Sequence, residues 1–165
     1  MMKAISNTSP IIGLSIIGKL ELLWELFDIY IPQEVYNEVV IESSDYAIGK
    51  YELRNAVAEG YIKVYKVEDQ DFVAKAYGRL HKGELEVIVG GKELGADIVI
   101  IDEISARNFA EALMLKPLGL LGILKLAKAR GIIQEIKPLL DILVSKKFRI
   151  SNKLLNQILK EVGEE

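Results

Sequence analysis

The stretch "ADIVIID", residues 96–102, constrains the fold more than any other part of the chain. Ile98, Val99, Ile100 and Ile101 follow one another with no polar face between them, so a strand here is covered on both sides. Such strands belong to parallel sheets packed between helices, and the rest of the chain alternates to match. "KAIS" reads as a first strand, followed by helical patterning from Ser9 to about Phe27, with Ser9 as N-cap and Pro10 at the first helical position. "DIYIP" is a second strand ended by Pro32, and "QEVYNEVV" sets Val35, Val39 and Val40 on one helical stripe. "YAIGKYELRNAVAEG" is a helix closed by Gly60, and "YIKVYKV" a third strand. "QDFVAKAYGRLHKG" then runs helically into "ELEVIVGGKELG", closed by Gly95. Beyond the strand at 96–102 lie a helix "SARNFAEALML", a short strand "KPLG" and a helix "LLGILKLAKARG". Two C-terminal helices follow, "IKPLLDILVSKKF" and "SNKLLNQILKEVG", the second capped by Ser151.

Alternating strands and helices predict an α/β fold with a central, mostly parallel sheet covered on both faces. A length of 165 residues fits a single domain, 1–165. Its C-terminal helical extension, from about residue 132 to 165, either enlarges the core or forms a dimer surface.

Composition removes several classes of function. There is no cysteine and one histidine, His81, so disulfides, thiolate chemistry and multi-histidine metal cages are excluded. A net charge of −3 argues against a surface coated for general nucleic-acid binding while leaving room for a local basic rim. The apolar run "PIIGLSIIG" is cut off by Lys19 and Glu21, short of the ~18 residues of a membrane span, and it lacks a signal peptide's basic leader. The chain reads as cytoplasmic, with no membrane partner.

In an open parallel sheet, ligands bind beyond the carboxyl ends of the strands, where strand order reverses. Asn7 ends the first strand and Asp102 the fourth, so this pair marks a candidate site. Two helices add carboxylates: Glu38 borders the apolar stripe of its helix, and Glu84 opens the helix "GELEVIVGGKELG". At ~100° per residue Glu84 and Glu86 point roughly 160° apart, so only one faces a given cleft. Glu84, stacked beneath Ile88, is expected inward and Glu86 toward solvent. Clustered carboxylates repel and call for a cation. Oxygen donors without Cys or multiple His suit a hard ion, Mg²⁺ or Mn²⁺, able to activate water for phosphodiester hydrolysis. The bland alternative is that these acids are solvated helix faces, and that Asp102 is a helix N-cap.

The segments "SNTSPIIGL…GKLELL…IP…VYNEV", "GELEVI…ELGADIVIIDE…AR" and "LGLLGIL…AKARGII", in this order along nearly the whole chain, resemble the PIN-domain-like proteins related to VapC-type toxin ribonucleases. The resemblance implies a three-layer α/β/α fold and a divalent-metal, Mg²⁺- or Mn²⁺-dependent endoribonuclease acting on RNA. It also implies a homodimer and an antitoxin protein partner. Carried over by position, the metal-binding acids fall on Asn7, Glu38, Glu84 and Asp102, with Glu103 an additional ligand; Glu38, Glu84 and Asp102 are the catalytic set. Three positions depart from that pattern. Asn7 stands where an aspartate is expected, Leu120 where relatives often carry a threonine, and Ser105 where many carry a further acid.

Asn7 is thus either a weakened, uncharged ligand or an Asx brace for the strand-to-helix turn. Arg107 either reaches an RNA phosphate or pairs with Glu103. Arg79, Lys82 and Lys92 form a modest basic rim for substrate, or simply a solvated face. His81 is a proton carrier or a structural residue at a helix end. The paired glycines of "VGGKE" do not make a phosphate loop, since the spaced first glycine and the following Ser or Thr are missing. They sit inside a helix and favour close packing. Two functions follow: a metal-dependent endoribonuclease of the toxin type, or a catalytically silent PIN-like domain that binds RNA or protein. A phosphoacceptor receiver domain is a remote third, since the acidic pair it needs after the first strand is missing.

Overall fold

The computed structural model describes all residues, 1–165. Its centre is a sheet of five strands: β1 (Lys3–Ser6), β2 (Asp28–Pro32), β3 (Lys63–Tyr65), β4 (Ile98–Ile100) and β5 (Pro117–Leu118). The order across the sheet is β3-β2-β1-β4-β5, and every pairing is parallel. Strand order therefore reverses between β1 and β4. Ten helices surround the sheet: α1 (Thr8–Ile16), α2 (Leu22–Leu26), α3 (Gln33–Tyr36), α4 (Lys50–Ala58), α5 (Gln70–Ala76), α6 (Lys82–Leu94), α7 (Ile104–Ala112), α8 (Leu120–Ala129), α9 (Lys137–Ser145) and α10 (Asn152–Glu161). The α/β three-layer expectation holds, and the sheet is wholly parallel. No helix is long and apolar enough to cross a membrane.

Helix α6 crosses β1, β2 and β4 beside α3, α5 and α7, while α1 packs with α8 and α9. Its two glycines explain its closeness to the sheet. A Cβ on Gly90 would lie 2.9 Å from Ile5 Cδ1, and one on Gly91 would lie 2.8 Å from Val99 Cγ1. Ile5 and Val99 are register partners on adjacent strands, so both push into the same two-residue notch. The C-terminal helices supply Leu140, Leu143 and Ile158 to the buried apolar cluster that also contains Ile5 and Val99.

Several boundaries differ from the sequence expectation. The helix expected from Ser9 to Phe27 is two: the chain turns at Gly18, whose φ of +65° suits a residue without a Cβ, before α2 begins. Helix α1 also starts earlier than expected, with Asn7 as the N-cap residue and Thr8 as the first helical one, which frees Ser9 for other work. The segment after α5 does not run on as helix. It breaks at Tyr77 and Gly78, and Tyr77 bridges Leu80 before α6 begins. Helix α3 continues into a π-helical turn, Asn37–Ile41, that carries Glu38. Such turns are rare, and frequently found at functional sites.

Candidate active site

The backbone N–H of Asn7 donates to Ile100 O at 3.0 Å, which extends the β1–β4 ladder beyond Ser6. This bond seats Asn7 next to the strand whose continuation carries Asp102. Both residues line one cavity of about 1150 Å³, together with Glu38 and Glu84. The four residues expected to converge do share this cavity, at the point where strand order reverses.

Each is held differently. Glu38 Oε2 accepts the Thr8 hydroxyl at 2.8 Å. Burial pushes its carboxyl above the usual range, Glu34 and Glu42 add to that shift, and Thr8 and His81 oppose it. Its other oxygen faces Gly83 in the first turn of α6: a Cβ there would lie 2.9 Å from Glu38 Oε1 and 3.5 Å from Asn7 Oδ1. Gly83 is thus the gap that lets two oxygen donors approach the same helix end. The side chain of Asn7 makes no capping bond to α1, so its amide braces no turn of that helix.

Asp102 Oδ1 accepts the backbone N–H of Leu120 at 2.8 Å, and Oδ2 lies 3.5 Å from the Ser9 hydroxyl. Burial again raises the carboxyl, against the Leu120 amide, the charge of Arg107 and the Ser9 hydroxyl. Arg107 and Asp102 meet over Gly119, where a Cβ would lie 2.8 Å from both Arg107 Nη1 and Asp102 Oδ1. Arg107 therefore shares the space over Gly119 with Asp102, and it forms no ion pair with Glu103. Glu103 is exposed and caps α7 by accepting the Ser105 N–H at 3.4 Å, a role the bland alternative assigned to Asp102.

Glu84 is buried, and its Oε1 accepts the His81 backbone N–H at 3.0 Å, closing the first turn of α6. Glu86, expected in solvent, is also buried, at 3% exposure. Helix rotation does turn it away from the cavity, but α3 and α5 cover that side, and Glu86 accepts the Glu34 N–H at 3.4 Å and the Gln70 amide at 3.3 Å. Lys82 lies 3.5 Å from Glu34 in an ion pair. Arg79 lines an adjoining cavity of about 530 Å³, with His81, Glu84 and Glu103. Lys92 donates to Leu113 O, a helix-end contact.

The donors are hard oxygens: Glu38 Oε1 and Asn7 Oδ1 converge, and two part-buried carboxylates carry raised pKa values. That chemistry fits a divalent ion of the magnesium type. As the side chains stand, no three carboxylate or imidazole groups are close enough together to ligate one ion. Sequence reasoning missed Thr8 and Ser9, whose hydroxyls reach Glu38 and Asp102. The signal was present, since two hydroxyl residues directly follow Asn7 at the end of β1.

No curated protein matches the chain. A family model described as PIN domain matches residues 3–164. That match runs nearly from end to end, over the same parallel sheet and the same acidic cavity, and on it the chain belongs to the PIN-domain family, a nuclease-type fold.

Proposed function

We propose that this PIN domain is a divalent-metal-dependent endoribonuclease of the VapC-like toxin type, working with Mg²⁺ or Mn²⁺. The observation that carries this reading is the pair Glu38 and Asp102. Both are carboxylates whose charge is made costly by burial, and both line one cavity with Asn7 at the strand-order reversal. A protein with no use for charge there gains stability by replacing them with neutral residues. Glu38, Asp102, Asn7 and Glu84 would hold the ion, with Glu103 at the rim. When bound, the ion supplies charge neutralisation and Lewis-acid activation for phosphodiester hydrolysis.

The chain's own groups do the rest. Thr8 and Ser9 orient Glu38 and Asp102, and the Leu120 amide fixes one oxygen of Asp102 while the other lies beside the Ser9 hydroxyl. Arg107, beside Asp102 and on the cavity wall, is placed to bind a phosphate oxygen and to balance the negative charge carried by the phosphoryl oxygens. The test is Mn²⁺-dependent cleavage of a mixed RNA pool, with Asp102→Asn as the comparison. Cleavage lost in the variant supports the reading, and equal cleavage by both overturns it.

A second reading, a catalytically silent domain that binds RNA or protein, draws on Asn7 in place of an acid and on the open arrangement of the carboxylates. RNA or partner binding with no cleavage at saturating Mn²⁺ would establish it.

A further inference from the structure

The acidic end is only part of the cavity. It continues past Gly119 to the segment joining α9 and α10, where Phe148, Arg149 and Ser151 form its wall with Leu154 and Gln157 of α10. That segment belongs to the most lopsided stretch of charge in the chain. Residues 142–160 contain Lys146, Lys147, Arg149, Lys153 and Lys160 and no acidic residue, in a protein whose net charge is −3. All five cations are exposed, and none is in an ion pair. Two other cations of the cavity wall are already paired, Lys82 with Glu34 and Lys125 with Glu161.

The segment is fixed in place, not hung loosely over the opening. Its Phe148 ring packs on α1 at Gly13, where a Cβ would lie 3.0 Å from Phe148 Cζ and 2.6 Å from Leu120 Cδ2. The turn leaving α9 is closed by Lys147 N–H to Val144 O at 3.0 Å and Phe148 N–H to Leu143 O at 2.9 Å. Lys147 takes the left-handed conformation of this turn, with φ +61°, a position that glycine usually fills. The chain keeps a cation there.

We infer that Lys146, Lys147 and Arg149, with Lys153 beyond them, form the docking track for the single-stranded RNA flanking the scissile phosphate. This rests on the endoribonuclease reading. A polyanion cannot lie along a wall of carboxylates without cations to hold it, and backbone phosphates spaced along a single strand match a run of unpaired lysine and arginine side chains. The acidic end of the cavity would take the phosphate to be cut, and Arg149 on its wall would pass the strand on to the exposed lysines beyond the cavity. Binding by this track is electrostatic and tolerant of sequence.

The test separates binding from cutting. A fluorescently labelled single-stranded RNA of about twenty nucleotides is titrated with the full chain in EDTA over a range of KCl, so that affinity and salt dependence are read without cleavage. The triple variant K146Q/K147Q/R149Q is compared with K66Q/K75Q, which removes two exposed cations elsewhere, and all are checked for folding by thermal melting. The expected result is at least a tenfold loss of affinity in the triple variant, a salt slope shallower by about 2 at ~0.7 per phosphate contact, and no change in the control. The inference is overturned by equal binding of wild type and triple variant. It is also overturned by no RNA binding at all, or by binding of poly-glutamate in place of RNA, which would make the track a site for an acidic protein segment. Mn²⁺-dependent cleavage is scored separately. Cleavage with an unchanged triple variant removes the track and leaves the nuclease, and track-dependent binding without cleavage does the reverse.

Discussion

Asp102, two residues beyond β4, is held by the backbone of Leu120 at the start of α8, through a 2.8 Å bond from the Leu120 N–H to Asp102 Oδ1. Leu120, whose side chain offers no hydroxyl to the site, thus still supplies the contact that fixes the acid, because the contact is made by its amide. The first N–H groups of a helix have no partner inside it and favour an anion. Gly119 is what makes the approach possible, since any side chain there meets both Asp102 and Arg107.

Gly119→Ala is therefore expected to displace Asp102 or Arg107. Stability should fall by about 1–3 kcal/mol, the usual cost of forcing a methyl into a filled space, and Mn²⁺ affinity should fall at least tenfold. Denaturant unfolding and calorimetric titration measure the two effects. Parent-like values in both would mean that the close contact over residue 119 does not matter.

Neutralising the acids should trade activity for stability. The carboxyls of Glu38 and Asp102 are both raised by burial, so their folded pKa values lie above the unfolded ones. The favourable contribution of such a group is complete below the unfolded value, about 4, and is lost as pH rises through the folded one. Near neutral pH without metal, Glu38→Gln and Asp102→Asn are expected to melt above the parent, and the difference should shrink as pH falls toward about 4. Both variants should lose Mn²⁺-dependent cleavage. A lower melting temperature near neutral pH would contradict the burial argument.

The notch in α6 gives a sign that helix propensity alone gets wrong. Gly91→Ala in mid-helix gains ~1 kcal/mol of propensity but sets a methyl 2.8 Å from Val99 Cγ1. Overpacking costs about 1–3 kcal/mol, so the expected net effect on unfolding free energy is zero to about 2 kcal/mol of destabilisation. A clear gain in stability would show that the helix can lift off the sheet at no cost.

Glu164 pins the C-terminus. Its carboxylate accepts the N–H of Ile136 at 2.8 Å and of Lys137 at 2.8 Å, at the start of α9, and the ammonium of Lys128 at 2.7 Å. Against the burial that raises it, these partners bring its pKa down to about 2. A depressed carboxylate contributes stability above the unfolded value, near 4.3, and loses it as pH falls toward the folded one. Glu164→Gln should melt below the parent near neutral pH and converge with it by pH of about 2. Parallel curves across that window would show that the charge does not anchor the tail.

The strands at 3–6, 28–32 and 98–100 were legible as short apolar runs between turn and helix signals, and Asn7 and Asp102 followed as the polar residues just beyond two of them. Glu38 and Glu84 were legible as helix positions beside an apolar stripe. Glu86 was not: its rotation away from the cavity was read correctly, but only packing shows that α3 and α5 cover that side. Ser9 likewise looked like a cap by residue type, and became a partner of Asp102 once α1 began at Thr8.

By itself, the sequence determined the parallel α/β architecture, the strand ends that define the site and the absence of cysteine chemistry, because periodicity and residue type are local properties. Only the tertiary structure decided which carboxylates share a cavity, that Arg107 shares the space over Gly119 with Asp102, and that Arg149 stands on the wall of that same cavity. Those relations join residues as much as 142 positions apart, Asn7 and Arg149, and no spacing along the chain encodes them.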